Sequence, residues 1–460
     1  MMDAAGIRGA LLVPALACAV GGCAGSGATI TVHTDSTFQT IVGWEGTTQS
    51  GEVEIPEFPR YAERLFDLVV DSLGITRLRM EAYSGIEHPV DSWSRWRDGA
   101  LSDSSWRCQR YATGDDDGDP RSIDWSGFHF GQLDRKVEAV VLPIKRRLEA
   151  RGERLYLNVT YVAFARQCPS TPYHHLDVDE YAEFALAVHL HLRDRYGLVP
   201  DGWEMILEPE HTAWRGRTIG EAMVRTAARL EEHGFRPEFI APSNTAMSNA
   251  IEYFDEMIEV PGVLELLDEY SYHRYWNPSR AQARAIGERA QRHGLRTAML
   301  EHIGSGHTDL HEDLVVAGVS AWQQFALAYG GRRPDRDQGG VYFRIDVSDP
   351  ERPRIHWGQR TRYLRQYFHY VRPGAVRIGA ASDSRAYDAT AFRNATGATV
   401  VVVNAAQGGG VRIVSLPPGS YGTSYTTAEE TADLPLTRVS AGDTLRAFIP
   451  SAGVLTVYGR

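Results

Sequence analysis

Cysteine is scarce in this sequence, with 4 residues among 460. Cys18 and Cys23 lie in or at the end of an apolar stretch near the N-terminus, which leaves Cys108 and Cys168 for the rest of the chain. Two cysteines without nearby pairs of histidines make a weak metal site. If the protein is exported to an oxidising compartment, the sequence predicts one disulfide between Cys108 and Cys168. The alternative is two unpaired buried thiols.

Positive charge is also in short supply, because 48 Lys and Arg residues stand against 59 Asp and Glu residues and give a formal net charge of -11. Nucleic acid and anionic membrane surfaces repel such a chain, so both are disfavoured as partners. The hydrophobic content of 43% and the charged content of 23% are ordinary for a globular protein. The length is sufficient for one large domain and a smaller one.

No apolar run beyond the N-terminal stretch is long enough to predict a membrane span. The N-terminal run, ALLVPALACAVGG, follows Arg8 and is typical of a signal peptide. Its end, AVGGC, is similar to a bacterial lipobox. We predict a signal peptide over residues 1–23, lipidation at Cys23, and an exported protein anchored to the bacterial cell envelope. The alternative is cleavage nearby and plain secretion, which leaves the protein periplasmic or secreted.

The sequence also lacks a Gly-rich phosphate fingerprint after its first strand, which disfavours an open doubly wound sheet. Short apolar strands alternate with amphipathic helices, and three of these helices end in Gly shortly after basic residues. Eight strand–helix repeats over roughly 330 residues predict an α/β fold, a (β/α)8 TIM barrel. The strands are predicted at 40–45, 74–81, 154–161, 202–208, 238–243, 268–275, 296–301 and 318–324.

The pattern changes near residue 372 to short alternating strands and turn dipeptides without helical spacing. This change predicts a C-terminal β-sandwich domain over residues 372–460. We expect residues 24–39 to form strands that join the sandwich, and residues 40–371 to form the barrel.

One long insertion, residues 82–128, separates the second predicted strand from its helix. It contains Trp93, Trp96, Trp106 and Trp125, and loops of this length inside a compact domain are usually functional. Its acidic turn, GDDDGDP, has a calcium-like composition but lacks the spacing and the closing Glu of an EF-hand loop.

Two glutamates end predicted barrel strands at the face where barrel enzymes carry their active sites. Glu208 ends the fourth strand and Glu301 ends the seventh, so the two lie on opposite sides of the barrel mouth. Acids at the ends of apolar strands are unfavourable unless they are paired or used, and a salt-bridged acid is the alternative for each alone. Two carboxyl groups that face one another across a sugar are what a glycosidase requires.

Other polar and aromatic residues near strand ends are candidates for supporting roles. Ser271, His273 and Tyr275 share one face of the sixth strand, and the last two can hydrogen-bond a carboxylate or belong to the barrel core. Arg79 can keep a nucleophilic carboxylate ionised, although Arg77 on the same strand face leaves the choice open. Further candidates, each individually more typical of a core or rim position, are Asn158, Tyr161, Asn244, Trp44, Glu45 and Trp322, and His302 follows Glu301 directly.

A metal-dependent barrel enzyme requires a cluster of His and acidic residues at strand ends. His273 and His302 lie on different strands without companion acids at ligand spacing. We therefore predict no metal and no cofactor.

Four stretches carry a family resemblance: FQTIVGWEG, LEPE, AMLEH and YLRQYFHYVRPGAVRI. Through them the chain resembles a retaining β-glycosidase of glycoside hydrolase clan A, and most of all glycoside hydrolase family 30. The resemblance implies a carbohydrate substrate, Glu208 as the acid/base, Glu301 as the nucleophile and Tyr275 in contact with the nucleophile. It also implies a β-sandwich fused to the barrel.

One residue departs from the clan pattern. The acid/base of the clan is normally preceded by Asn, which hydrogen-bonds the sugar 2-hydroxyl, and here that position is Leu207. The departure predicts an altered specificity or, as the alternative, a non-catalytic carbohydrate-binding surface lipoprotein. Glu210 is a minor alternative for the acid/base, which we disfavour because Pro209 breaks the strand. As a hypothesis, the charge of Glu301 raises the pKa of Glu208.

Overall fold

The computed structural model describes residues 27–114, 118–331 and 339–460. The predicted signal peptide, its lipidation site Cys23 and part of the acidic turn lie outside the described residues. Within these three ranges, no helix combines the length and the apolar character needed to cross a bilayer.

The chain forms nineteen strands and twelve α-helices within the described residues. The strands are β1 Ala28–Thr40, β2 Gly43–Thr47, β3 Arg77–Tyr83, β4 Tyr156–Val162, β5 Gly202–Glu204, β6 Glu238–Ala246, β7 Leu267–Tyr275, β8 Arg296–Glu301, β9 Val319–Gly331, β10 Val341–Asp346, β11 Arg354–Trp357, β12 Val376–Ser382, β13 Tyr387–Arg393, β14 Thr399–Ala405, β15 Gly409–Val414, β16 Gly419–Thr427, β17 Thr431–Val439, β18 Leu445–Ile449 and β19 Gly453–Gly459. The helices are α1 Phe58–Asp67, α2 Ser92–Arg97, α3 Asp103–Gln109, α4 Gly131–Lys136, α5 Leu142–Ala150, α6 Val178–Tyr196, α7 Gly216–Glu232, α8 Met247–Met257, α9 Val263–Leu266, α10 Arg280–His293, α11 His307–Glu312 and α12 Thr361–Phe368.

The eight parallel strands β2 to β9 close into a barrel, because β9 pairs with both β8 and β2. The predicted TIM barrel is therefore confirmed, with β10 and β11 extending the sheet beside β9. The helix α6 shows how sequence sets the element ends: the Asp177 side chain accepts the Asp179 N–H at its start, and Gly197 follows its end at a φ of 63°.

The strand predicted over 202–208 is shorter than expected, since regular β5 ends at Glu204. The following residues still bond to both neighbouring strands: the Met205 N–H donates to the Ile240 carbonyl at 3.0 Å and the Leu207 N–H to the Tyr161 carbonyl at 2.9 Å. The segment therefore continues the barrel wall as irregular backbone.

The C-terminal domain is a nine-stranded sheet into which the N-terminal strand β1 is inserted. The strand β1 pairs antiparallel with β12 and parallel with β15. One apolar core contains residues from both ends of the strand order, including Val439 of β17 and Leu445 of β18, so the sheet folds over on itself. This arrangement confirms the predicted β-sandwich.

The long insertion after β3 packs over the barrel mouth. Three of its four indole rings form one cluster, in which Trp96 stacks on Trp106 with centroids 4.1 Å apart and Trp93 packs against both. A disulfide joins Cys108 to Cys168, which follows β4, so the structure contains the predicted bridge. The bridge ties the insertion to the next loop of the mouth.

Candidate active site

Glu208 lies at the barrel mouth, at the end of the irregular segment that continues β5. Its backbone N–H donates to the Ser243 carbonyl at 3.1 Å, and its φ of 48° places it in the left-handed region. Only a few non-glycine residues adopt this conformation, and such residues cluster at functional sites. A short turn, Pro209–His211, follows directly, and the Glu208 side chain is 10% exposed.

Glu301 is the last residue of β8 and is buried beside Glu208. Its two carboxylate oxygens have different partners: Arg79 Nη1 donates to Oε2 at 3.0 Å and the Tyr275 hydroxyl donates to Oε1 at 3.2 Å. One carboxylate oxygen of Glu208 lies within 4.8 Å of one of Glu301. The fold thus brings together the two predicted catalytic acids, Arg79 and Tyr275.

Two imidazoles flank Glu208. His273 Nδ1 lies 3.2 Å from Oε1, and His211 Nε2 lies 3.2 Å from Oε2. The sequence predicts His273 as a supporting residue of the site, whereas it gives no such prediction for His211. The available signal was its position three residues after Glu208, which a single turn brings back over the carboxylate.

The electrostatics of the two carboxyl groups contradict the hypothesis of a raised Glu208 pKa. Burial alone raises the pKa of Glu208, but hydrogen bonds and charge from His211 and His273 outweigh it and lower the pKa to about 2. Burial raises the pKa of Glu301, and the charge of Glu208 adds to this rise against the opposing charge of His273. The hypothesis was wrong because it weighed the neighbouring carboxylate and omitted the two histidines.

A buried acid, Glu204, orients the Arg79 guanidinium, and the sequence did not predict it as a site residue. Glu204 accepts from Arg79 Nε at 2.8 Å and from Arg79 Nη2 at 2.7 Å, which leaves Nη1 for Glu301. A bidentate pair of this kind fixes the plane of the guanidinium. Asn158 donates to Glu204 at 3.1 Å. It therefore supports the site indirectly, through Glu204 and Arg79, and does not contact the carboxylate pair.

The second arginine, Arg77, lies one layer deeper and does not contact the carboxylate pair. It forms buried ion pairs with Glu45 and Glu269, its Nη1 donating to Glu269 Oε2 at 2.9 Å. Glu45 is therefore a barrel-core residue, and burial there raises its pKa to about 7. The structure thus resolves the choice between the two arginines in favour of Arg79.

Three of the aromatic candidates lie away from the carboxylates. Trp44 stacks on Phe368 with centroids 4.7 Å apart, and Trp322 donates its indole N–H to Asp313 at 2.9 Å. The Tyr161 hydroxyl lies 2.8 Å from His175 Nδ1 in the core. As supporting residues of the site these three predictions were wrong, because all three side chains project to the outer face of the barrel.

Two further polar candidates lie near the site without contacting the carboxylates. His302 packs its ring edge-on against Tyr275 at 5.1 Å and places Nδ1 2.5 Å from the Ser305 hydroxyl. Asn244 is buried one residue after Ser243, and its amide atoms have no hydrogen-bond partner among the described residues.

The interpretation that His273 lacks companion acids is wrong, because the fold places two glutamates beside it. Single ligand atoms of Glu208, His273 and Glu301 lie within 4.8 Å of one another, a donor set that a divalent metal can use. The positive charge of the Arg79 guanidinium, which contacts Glu301 at 3.0 Å, disfavours binding of a metal cation there by electrostatic repulsion. The arrangement of partners fits proton chemistry better than metal binding.

The residues flanking Glu208 in sequence have clear and separate environments. Leu207 packs with Tyr83, Tyr111 and Val162 in a small apolar cluster. Glu210 accepts from Asn249 at 3.0 Å and from the Thr245 hydroxyl at 3.2 Å. Its carboxylate is therefore engaged by β6 and α8, which disfavours it as the acid/base.

The sequence matches no family model, and a comparison with curated proteins finds no match. Solved structures are similar over 94% of the chain. They include the catalytic domain of a glycoside hydrolase family 30 xylanase C from Talaromyces cellulolyticus, with a TM-score of 0.67, 14% identity and 100% of that chain covered. An endo-β1,6-glucanase has a TM-score of 0.64, 13% identity and 94% of its chain covered. A conserved exported protein from Bacteroides fragilis has a TM-score of 0.67, 13% identity and 100% of its chain covered. The chain therefore has the fold of the family 30 glycoside hydrolases, a (β/α)8 barrel joined to a β-sandwich.

Proposed function

We propose that this protein is an exported retaining β-glycosidase that hydrolyses β-linked oligo- or polysaccharides. The observation that carries the proposal is the proximity of the two acids, since one Glu208 oxygen lies within 4.8 Å of one Glu301 oxygen. Retaining enzymes hold their carboxyl groups about 5–5.5 Å apart, whereas inverting enzymes need about 6.5–9.5 Å to admit a water molecule. The short separation supports double displacement.

In the first proposed step, Glu301 attacks the anomeric carbon while the glycosidic oxygen leaves with a proton from Glu208. Arg79 and Tyr275 each hydrogen-bond one Glu301 oxygen, and this orients the carboxylate for attack. In the second step, Glu208 takes a proton from water, and the resulting hydroxide displaces Glu301 from the sugar.

The transferable proton in this proposal is shared by Glu208 and His211. Hydrogen bonding to Glu208 raises the pKa of His211, while the same contact lowers the pKa of Glu208. Two groups coupled in this way titrate as a pair and not as separate residues. The proton that Glu208 delivers to the leaving oxygen comes from this pair, and the proton that Glu208 takes from water in the second step returns to the pair.

The names of the similar structures support a polysaccharide substrate, since they include a xylanase and an endo-β1,6-glucanase. A carbohydrate is accordingly the partner that we propose. Export is supported by the similar Bacteroides fragilis protein, which is described as exported. Lipidation at Cys23 remains a prediction from the sequence.

The first experiment is a panel of β-linked glucans, xylans and aryl β-glycosides, assayed for reducing-sugar release with and without excess EDTA. We expect cleavage of at least one member, unchanged by EDTA. Proton NMR during the first minutes of cleavage should show release of the β-anomer, because double displacement retains configuration. Initial release of the α-anomer contradicts the retaining mechanism, and loss of activity in EDTA favours metal chemistry at the Glu208–His273–Glu301 cluster.

Leu207 favours a second candidate, a carbohydrate-binding protein without turnover. An apolar side chain at this position cannot donate the hydrogen bond to the sugar 2-hydroxyl that strengthens in the transition state. If folded protein binds a glycan of the panel with no release of sugar, this second candidate replaces the first.

The His211 contact predicts a specific change in pH dependence. Replacing His211 with Gln keeps a hydrogen-bond donor and removes the charge that stabilises the Glu208 carboxylate. The pKa of Glu208 should then rise, but Glu208 alone no longer shares the proton that His211 holds above the ordinary imidazole pKa, so the alkaline limb of kcat/KM moves to lower pH. We expect kcat at the optimum to stay within about tenfold, because Glu208 keeps its direct role in proton transfer and His211 acts through its contact with Glu208. The measurement is kcat/KM across the pH range on the best substrate of the panel.

His191→Gln is the matched control, since His191 Nε2 lies 2.6 Å from Asp134, a pair between α6 and α4 that is remote from the carboxylates. This variant should keep the pH profile of the unmodified protein. An unchanged alkaline limb in His211→Gln, or a move to higher pH, contradicts the shared-proton proposal.

A further inference from the structure

A cavity opens at the same end of the barrel as the catalytic carboxylates. Its volume is about 580 Å³, within the range of about 300–1,000 Å³ that is typical of ligand pockets. The Trp-rich insertion supplies one wall, through Trp96, Trp106 and Arg110, and the loop after β2 supplies the facing wall, through Gln49 and Glu54.

Two connections join this cavity to the catalytic residues. Tyr83 lines the cavity and also packs in one apolar cluster with Leu207, the residue before Glu208. Gln49, which lines the cavity, donates to Glu81 at 2.6 Å, and Glu81 lies two residues after Arg79 on the same face of β3. These two contacts place the cavity next to residues that flank the carboxylate pair.

The insertion wall presents buried hydrogen-bond donors that have no partner. Trp106 is 3% exposed, and its indole N–H has no acceptor among the described residues. Arg110 Nε is likewise buried and unpaired, and the guanidinium lies over the rings of Tyr83, Trp106 and Tyr111 at 4.7 to 5.2 Å. Buried donors without partners are rare and unfavourable, so this wall has unused hydrogen-bonding capacity next to the cavity.

The charges around the cavity indicate the chemistry of the ligand that it fits. Three acids balance three bases along the walls, namely Glu52, Glu54 and Asp103 against Arg107, Arg110 and Lys136. A balanced set favours a neutral ligand that both donates and accepts hydrogen bonds. Aromatic faces beside such groups suit a sugar ring, which presents apolar CH faces and hydroxyl groups.

We propose that this cavity is a second sugar-binding subsite, which takes a neutral sugar unit linked to the unit held by Glu208 and Glu301. The assignment rests on the proposed glycosidase function. It narrows the substrate class to neutral oligo- or polysaccharides, which the protein should cleave in preference to glycosides of a single sugar. Binding energy from the second unit should appear as a higher kcat/KM for longer substrates, since remote contacts can be used in the transition state.

The experiment compares two substrate classes in variants of the full chain. The probes are β-1,4-xylo-, β-1,4-gluco- and β-1,6-gluco-oligosaccharides of two to six units and the 4-nitrophenyl β-glycosides of xylose and glucose. Trp96→Ala removes an aromatic ring from the cavity wall, and Glu54→Gln removes a charge from the facing wall without loss of volume. Trp125→Ala is the matched control, because Trp125 belongs to the same insertion, is 49% exposed and does not line the cavity.

We expect both cavity variants to lose at least about tenfold in kcat/KM on the cleaved hexaose while staying within about twofold on the aryl glycoside. Trp125→Ala should match the unmodified protein on both. Equal losses on both substrate classes, or no loss on the hexaose, overturn the subsite. Thermal unfolding of each variant identifies misfolding, in which case Glu54→Gln alone decides.

Direct binding separates the failure of the subsite from the failure of the glycosidase. Calorimetry measures binding of the three hexaoses to Glu301→Gln, alone and combined with Trp96→Ala. If the unmodified protein cleaves nothing, the glycosidase fails, and a hexaose that binds at least tenfold more weakly to the double variant still supports the cavity. Equal binding by both proteins, or no binding of any hexaose, overturns the subsite.

Discussion

Replacing Glu301 with Gln should lower kcat by at least about 10⁴-fold on every substrate that the protein cleaves. The amide keeps the size of the side chain and can accept from Arg79 or Tyr275, but it is a poor nucleophile and cannot form the ester intermediate. Both displacement steps depend on this carboxylate, so no leaving group compensates for its loss. The measurement is single-turnover and steady-state release from the best substrate of the panel.

Glu210→Gln is the matched control, because Glu210 is two residues from Glu208 and its carboxylate is held by Thr245 and Asn249. We expect this variant to keep kcat within about threefold, in line with other substitutions away from reacting groups. Residual activity above one hundredth in Glu301→Gln removes Glu301 from the nucleophile role. A greater loss in Glu210→Gln reopens the alternative acid/base.

The barrel and its two strand-end acids could be predicted from sequence because both depend on local periodicity. Strands and helices alternate visibly, and the end of a parallel strand fixes which face of the barrel a side chain reaches. Glu208 ends an apolar stretch of the sequence and Glu301 ends an apolar strand, so their positions required no knowledge of the strand neighbours. The contact of Tyr275 with Glu301 followed from the family resemblance.

The wrongly placed aromatic candidates show what strand periodicity alone could not decide. Trp44 and Trp322 are opposite one another in the pairing of β2 with β9, and Glu45 is opposite Gln323. Side chains alternate between the two faces of a strand, so the glutamate points into the barrel and both tryptophans point toward the helices. A shift of one residue in the predicted register exchanges these two faces.

The electrostatics could not be predicted because they depend on residues that are distant in sequence or placed by irregular backbone. Glu204 reaches Arg79 only across the closed barrel, 125 residues away. His211 reaches Glu208 only because Glu208 adopts a φ of 48° and a tight turn follows. The resulting order, with the pKa of Glu208 lowered and that of Glu301 raised, is the reverse of the order that the hypothesis of a raised Glu208 pKa predicts.

Replacing Glu208 with Ala should give a loss that depends on the leaving group. Natural glycosides need a proton on the departing oxygen, so kcat/KM on the cleaved oligosaccharide should fall about 10²–10⁴-fold. A 2,4-dinitrophenyl glycoside leaves without protonation, so its first step should remain fast and its second step should become limiting. A burst of dinitrophenol followed by slow turnover is the expected result.

Azide tests the second displacement step in the same Glu208→Ala variant. The space left by the Glu208 side chain admits a small anion, which needs no general base to attack the glycosyl ester of Glu301. Azide should therefore accelerate turnover of the dinitrophenyl glycoside and give a β-glycosyl azide, the product of two displacements. Glu210→Ala should show neither the burst nor the azide effect. An α-glycosyl azide, or equal losses on good and poor leaving groups, contradicts Glu208 as the acid/base, because only a residue that exchanges protons with the leaving oxygen and the water distinguishes the two steps in this way.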